Sequence, residues 1–221
     1  MKMLFALTVL LIGFSFANAQ HEYAPLQEKE VKYKNWNYKS VRDDKNIDLR
    51  EFAKGKKLVM VVYLTAWCPN WRLEAPVAQR LYDKYKANGF DVIGVGEYAS
   101  VADTRASLDN LKITFPVVSE SDSKEARQKT AHYEYRKATG DTRGWGTPWN
   151  IFLEPAALEK KGDILLKKAF VAGGELVEAE AEKFIRQKLG LSAEETKTTA
   201  AKEKTIEACE PEKKATAFVK P

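Results

Sequence analysis

The chain has 221 residues, 44% of them hydrophobic and 30% charged, with 36 lysines and arginines against 31 acidic residues and a net charge of +5. That length suits one core with some extra segments, and the interspersed bases form no stripe, which argues against nucleic acid as a partner. Only Cys68 and Cys209 are present, so a disulfide framework is excluded; either the two pair across a very long loop or each is free.

In chain order, MKMLFALTVLLIGFSFANAQ has one early base, an apolar run from Met3 to Ile12, and small residues at Ala17 and Ala19. This order predicts a signal peptide over 1–19, cleaved before Gln20. The apolar run is too short for a membrane span, which needs roughly 20 residues. Export to the periplasm or the extracellular space follows, without stable membrane insertion after cleavage. Residues 20–32 read as a lead into a domain spanning 33–190.

Within that domain Tyr33 to Val41 predicts a first strand, with a turn at Asp43, Asp44 and Asn46. Asn46 to Phe52 reads as a short helical or turn segment, stopped by Gly55. Lys57 to Leu64 is nearly all apolar, as a strand buried on both faces of a sheet would be. Leu73, Val77, Leu81 and Tyr85 recur at helical spacing, and Asn88-Gly89 ends that helix. A strand over Phe90 to Val95, a helix around Val101 to Leu111, an extended piece from Ile113 to Val118 and a charged helical stretch from Ser123 to Lys137 follow. Trp149 to Leu153 and Ile164 to Val171 predict two more strands, and Glu175 to Leu189 a last amphipathic helix ended by Gly190. Strands alternating with helices specify an α/β domain. From 191 to 221 large apolar residues nearly vanish, which predicts a disordered charged tail.

The stretch TAWCPNWRLEAP, Thr65 to Pro76, carries the chemistry. Cys68 falls between a buried strand and a helix. Unpaired backbone N–H groups and the helix dipole stabilise a thiolate there, so a partly exposed, reactive sulfur is expected. Pro69 suits the first helical turn, because its missing N–H would have been unpaired anyway. WCPNWRLEAP resembles the WCPxCRxEAP turn of the TlpA/ResA-like thioredoxin proteins, exported thiol-disulfide oxidoreductases of the AhpC/TSA-redoxin superfamily. GFDVIGVG, ITFPVV and GTPWNIFLEP continue the resemblance over about Trp36 to Gly190.

The resemblance implies a thioredoxin-like fold, a central mixed β-sheet flanked by helices. It puts Cys68 in the place of the attacking cysteine and Pro148, after Thr147, in that of a facing cis-proline that presents backbone to a peptide. The expected partners are protein thiols or disulfides, with no cofactor and no metal. The sequence departs from the family at Asn70, at the longer lead-in KATGDTRGWG and above all at Trp71, which stands where the resolving cysteine belongs. A mixed disulfide on Cys68 then waits for an external thiol or for Cys209, about 20 residues beyond Gly190 and within a root-mean-square reach of roughly 25 Å of it.

Two other readings stay open. Thr65, three residues before Cys68, resembles the Thr-x-x-Cys element of peroxiredoxins, whose hydroxyl orients a peroxide. Val61 replaces their proline, and Arg72 or Arg143 would have to replace their arginine. The third reading is a non-catalytic binding module, in which Trp67, Trp71, Trp145 and Trp149, with Thr147, line a cleft for a ligand. Gly94-x-Gly96-x-x-Ala99 lacks the βαβ context of a dinucleotide site. His21, at the mature N-terminus, and His132, in a charged helix, have no ligand spacing, and His132 reads as solvated.

Overall fold

The computed structural model describes residues 21–191. The predicted signal peptide and nearly all of the predicted tail, Cys209 included, lie outside the described residues. The elements in order are β1 (Tyr23–Ala24), β2 (Gln27–Lys34), β3 (Asn37–Ser40), β4 (Asn46–Asp48), α1 (Leu49–Ala53), β5 (Leu58–Leu64) and α2 (Pro69–Tyr85). There follow β6 (Phe90–Gly96), α3 (Val101–Asn110), β7 (Val117–Ser119), α4 (Ala131–Thr139), β8 (Trp149–Leu153), β9 (Ile164–Ala172), β10 (Glu175–Leu176) and α5 (Glu178–Leu189).

The main sheet has the order β2-β9-β8-β5-β6-β7-β3-β4. At its centre β5 pairs with β6 in parallel and with β8 antiparallel. Every residue of β5 is buried, because alternate side chains enter two cores. Leu58, Met60, Val62 and Leu64 meet Trp71, Ala75, Ala78 and Leu81 of α2 and Ala181, Ile185 and Leu189 of α5 on one face. Val59, Val61 and Tyr63 meet Tyr33, Tyr135, Trp149 and Ile151 on the other. Gly94 allows the close packing of β6: a Cβ there would lie 2.9 Å from both Leu64 and Val117.

The sequence reading needs correction in four places. The strand expected over Tyr33 to Val41 is the end of one strand and the whole of another. β2 pairs with β9 at one edge, β3 with β7 and β4 near the opposite edge, and the chain breaks direction at Asn35 and Trp36. The sheet also begins at Gln27, inside the segment read as a lead; alternation of Val31 and Tyr33 with exposed lysines marks it. The single helix expected over Ser123 to Lys137 is two pieces, since Thr130 starts α4 by accepting a hydrogen bond from the Tyr133 N–H. Finally, α5 begins at Glu178 rather than Glu175, and Glu175 sits in β10, parallel to β1. Gly190 ends α5 in the left-handed conformation, as a residue without Cβ does at least cost, whereas α2 stops at Tyr85 and Gly89, read as its end, closes the 3-10 turn Lys86–Asn88 that follows. No helix among the described residues is long and apolar enough to cross a membrane.

Candidate active site around Cys68

The chain leaves the sheet at Leu64, turns with the Cys68 N–H bonded to the Thr65 carbonyl at 3.0 Å, and enters α2 at Pro69. Cys68 is the N-cap of that helix, and its side chain makes no capping bond. The sulfur instead donates to the Thr147 carbonyl oxygen at 3.1 Å. Thr147 precedes Pro148 in a cis peptide, as the resemblance implies. Thr147 Oγ1 in turn lies 3.1 Å from Thr65 Oγ1. Cys68, Thr65, Thr147 and Pro148 therefore meet at the end of the paired β5 and β8. The thiol is less open than expected, with Cys68 only 7% exposed. Thr65 is wholly buried, and its hydroxyl oxygen accepts from Thr147 Oγ1.

The tryptophans split into two pairs. Trp71 and Trp149 are 0% exposed and belong to the two cores, so their assignment to a ligand-binding surface is corrected: neither indole reaches one. Trp67 and Trp145 are half-buried and stand edge to face, centroids 5.0 Å apart, beside the Cys68 turn. Trp67 donates its indole N–H to the Tyr98 carbonyl at 3.2 Å. Asn70 is held by the buried Glu175 carboxylate at 2.9 Å, which also accepts from the Glu22 N–H at 2.9 Å and contacts His21.

The long lead-in to Pro148 is built on two arginines and one aspartate. Asp141 bridges the Arg136 Nε at 3.1 Å and the Arg143 Nη2 at 2.7 Å. These two guanidiniums and their hydrogen bonds hold the Asp141 carboxyl below its usual range against the cost of burial. Arg136 donates to the carbonyls of Trp145 and Arg143, while Arg143 donates to those of Gly146 and Pro148. Gly146 has φ +67, and a Cβ there would fall on the Arg136 guanidinium, so a side chain would strain the backbone and displace Arg136.

Three buried titratable side chains were missed or misread in the sequence. Glu74, six residues after Cys68 on α2, accepts from the Leu176 N–H at 2.9 Å and the Asn150 side chain at 3.2 Å. Burial pushes its carboxyl up to about 8. Glu97 follows β6 and is bonded by Ser121; burial first, then the neighbouring Glu120, holds it well above the ordinary range. His132 was expected in solvent, yet it is wholly buried, stacked on Tyr63 at 4.6 Å with Tyr98 OH 3.1 Å from Nδ1. Burial keeps its ring neutral. The signal for Glu74 was a carboxylate on the apolar face of an amphipathic helix; nothing local marked the other two.

With this geometry in place, comparison with solved structures finds a thiol:disulfide interchange protein of the thioredoxin family from Chlorobium tepidum TLS, at 18% identity and TM-score 0.52, covering 73% of this chain and 98% of that one. A thiol:disulfide interchange protein from Bacteroides sp. is also similar, at 18% identity and TM-score 0.52, over 77% of this chain and 95% of that one. A DsbF homologue from Corynebacterium diphtheriae matches at 15% identity and TM-score 0.51, over 72% and 87%. No curated protein sequence matches the chain. Sheet order, flanking helices and these likenesses together define a thioredoxin-like fold. Residues 29–144, more than half of the 221-residue chain, match the AhpC/TSA family, and the chain belongs to it.

Proposed function

We propose that this is an exported thioredoxin-fold protein, signal peptide 1–19, domain to 190 and tail beyond, that uses Cys68 as a single nucleophilic thiol in exchange with protein thiols and disulfides. The observation that carries the reading is the 3.1 Å contact of the Cys68 sulfur with the carbonyl that precedes cis-Pro148. The solved structures of similar fold are described as thiol:disulfide interchange proteins, which agrees with it.

The chemistry follows from the geometry. In the resting thiol, Cys68 Sγ–H donates to Thr147 O. Loss of that proton to solvent leaves a sulfur anion on the N-cap residue of α2, at the positive end of the helix dipole. Attack on a substrate disulfide forms a Cys68 mixed disulfide and expels one substrate thiolate. The sulfur then has no proton to donate, so the Thr147 carbonyl is freed to accept a substrate backbone N–H. Trp71 offers no second sulfur in the turn, and release falls to another thiol. Incubating native protein and Cys68→Ser with envelope extracts, followed by non-reducing electrophoresis, tests this. Reductant-sensitive conjugates are expected with the native protein alone, and equal conjugates from Cys68→Ser would refute the single-sulfur mechanism.

A further inference from the structure

The long lead-in to Pro148 does more than hold carbonyls in place. It carries Trp145, which helps to line a depression of about 440 Å³ together with Lys124, Glu125, Arg127, Gln128 and Lys129. Lys124 Nζ stands 4.8 Å over the Trp67 ring and the Arg127 guanidinium 4.8 Å over the Trp145 ring. Those two indoles meet edge to face at 5.0 Å, so two aromatic rings and two stacked cations form one continuous surface beside the Cys68 turn. Lys129 adds a third cation to the lining.

Among the described residues no salt bridge engages Lys124, Arg127 or Lys129. Of the two acids in the same segment, Asp122 does not line the depression, and Glu125 is held first by its own backbone N–H and the Ser123 hydroxyl, with the Lys124 charge a lesser influence. Three cations against one carboxylate leave the depression with a surplus of two positive charges. A cation resting on an indole keeps its charge, because the ring offers a quadrupole and no countercharge. The platform is also fixed in advance: Trp67 donates its indole N–H to the Tyr98 carbonyl at 3.2 Å, and Arg136 donates to the Trp145 carbonyl at 3.0 Å. A surface already ordered in this way loses little freedom when a partner lands on it.

Trp67 adjoins Cys68 in the chain, so Lys124 Nζ lies within roughly 15 Å of the sulfur, the span of about four residues of extended peptide at ~3.3 Å each. We propose that this surface binds acidic side chains about three or four residues from the cysteine of a protein substrate, which makes acidic, cysteine-containing segments the preferred partners of Cys68. This rests on Cys68 being the nucleophile, as proposed for the function, and names the substrate class of that same site. The substrate carboxylates pair with the Arg127 guanidinium and the Lys124 and Lys129 ammonium groups while the substrate backbone reaches the Thr147 carbonyl. Basic segments are repelled by the same three charges.

The test uses the full chain with Cys209→Ser, so that Cys68 is the one thiol, and the peptide Glu-Glu-Ala-Ala-Cys-Ala-Ala-Glu-Glu beside versions with glutamine or lysine in place of glutamate. Each peptide cysteine is activated as a mixed disulfide with 2-thiopyridine, a neutral leaving group. Attack by the Cys68 thiolate breaks that disulfide, joins Cys68 to the peptide sulfur and expels pyridine-2-thiolate, which takes a proton; its absorbance gives the second-order rate and mass analysis locates the adduct. At low salt the glutamate peptide should react ~tenfold faster than the glutamine peptide and the lysine peptide slower than both, and at ~1 M salt the three rates should converge. Lys124→Gln/Arg127→Gln/Lys129→Gln should abolish the acidic preference and leave the rate of the glutamine peptide unchanged. Lys32→Gln/Lys34→Gln/Lys57→Gln, which removes the same charge from exposed positions on β2 and before β5, should keep the preference. Equal rates for the glutamate and glutamine peptides, or a preference that the first variant keeps or the second loses, overturns the docking surface while the nucleophile stands. Failure of every peptide to form an adduct on Cys68 overturns both.

Discussion

At the scale of single residues, Trp71 stands three residues after Cys68 in α2, and the turn holds no second thiol. The Trp71 indole fills the core between Cys68, Ala75 and Ala78, and its N–H has no partner among the described residues. Trp71→Cys should therefore cost about 3 kcal/mol through the cavity it leaves, read from urea unfolding of the reduced protein. It should also let Cys68 form a disulfide with the introduced thiol, giving a reducible two-electron couple. Stability equal to that of the native protein would mean that Trp71 is not a core residue. Cys68, Thr147 and Pro148 were legible in the sequence because a short local pattern carries each of them. Arg136, Asp141 and His132 were not, since their roles arise from packing: a ring buried against Tyr63, or a guanidinium aimed at the carbonyls of a later loop.

At the scale of elements, α2 is fastened at its first turns by more than its apolar face. Glu74 ties it to β8 through Asn150 and to β10 through Leu176, 76 and 102 residues further along the chain. Such a partner set has no signature in a helical repeat, whereas apolar positions such as Leu81 and Tyr85 of the same helix do. Because burial raises the Glu74 carboxyl from 4.5 to about 8, the folded state keeps a proton that the unfolded chain loses. Its contribution is fully present below pH 4.5, falls as pH rises toward 8 and is level beyond, a loss of up to about 5 kcal/mol. Glu74→Gln keeps the shape and the acceptor without the titration. The gap in urea stability between variant and native protein should widen in favour of the variant from pH 5 to pH 8; a gap independent of pH would show that Glu74 is charged throughout.

At the scale of the whole molecule, the central strand β5 puts Cys68 at its end, and antiparallel β8 returns Thr147 and Pro148 to the same point. That convergence brings one sulfur and one carbonyl together beside the Trp67–Trp145 pair. The buried strands and their helices were legible because full burial and helical periodicity are local properties. The edges were not: β2 and β3 are consecutive in sequence yet lie on different sides of the sheet, and only long-range pairing decides that. The most direct measurement mixes purified protein with a neutral disulfide and follows intact mass at neutral pH. The account predicts one adduct on Cys68 in the native fold, released by added thiol and missing from Cys68→Ser. A native protein that gains no adduct on Cys68, while the urea-unfolded chain gains it readily, would contradict the account.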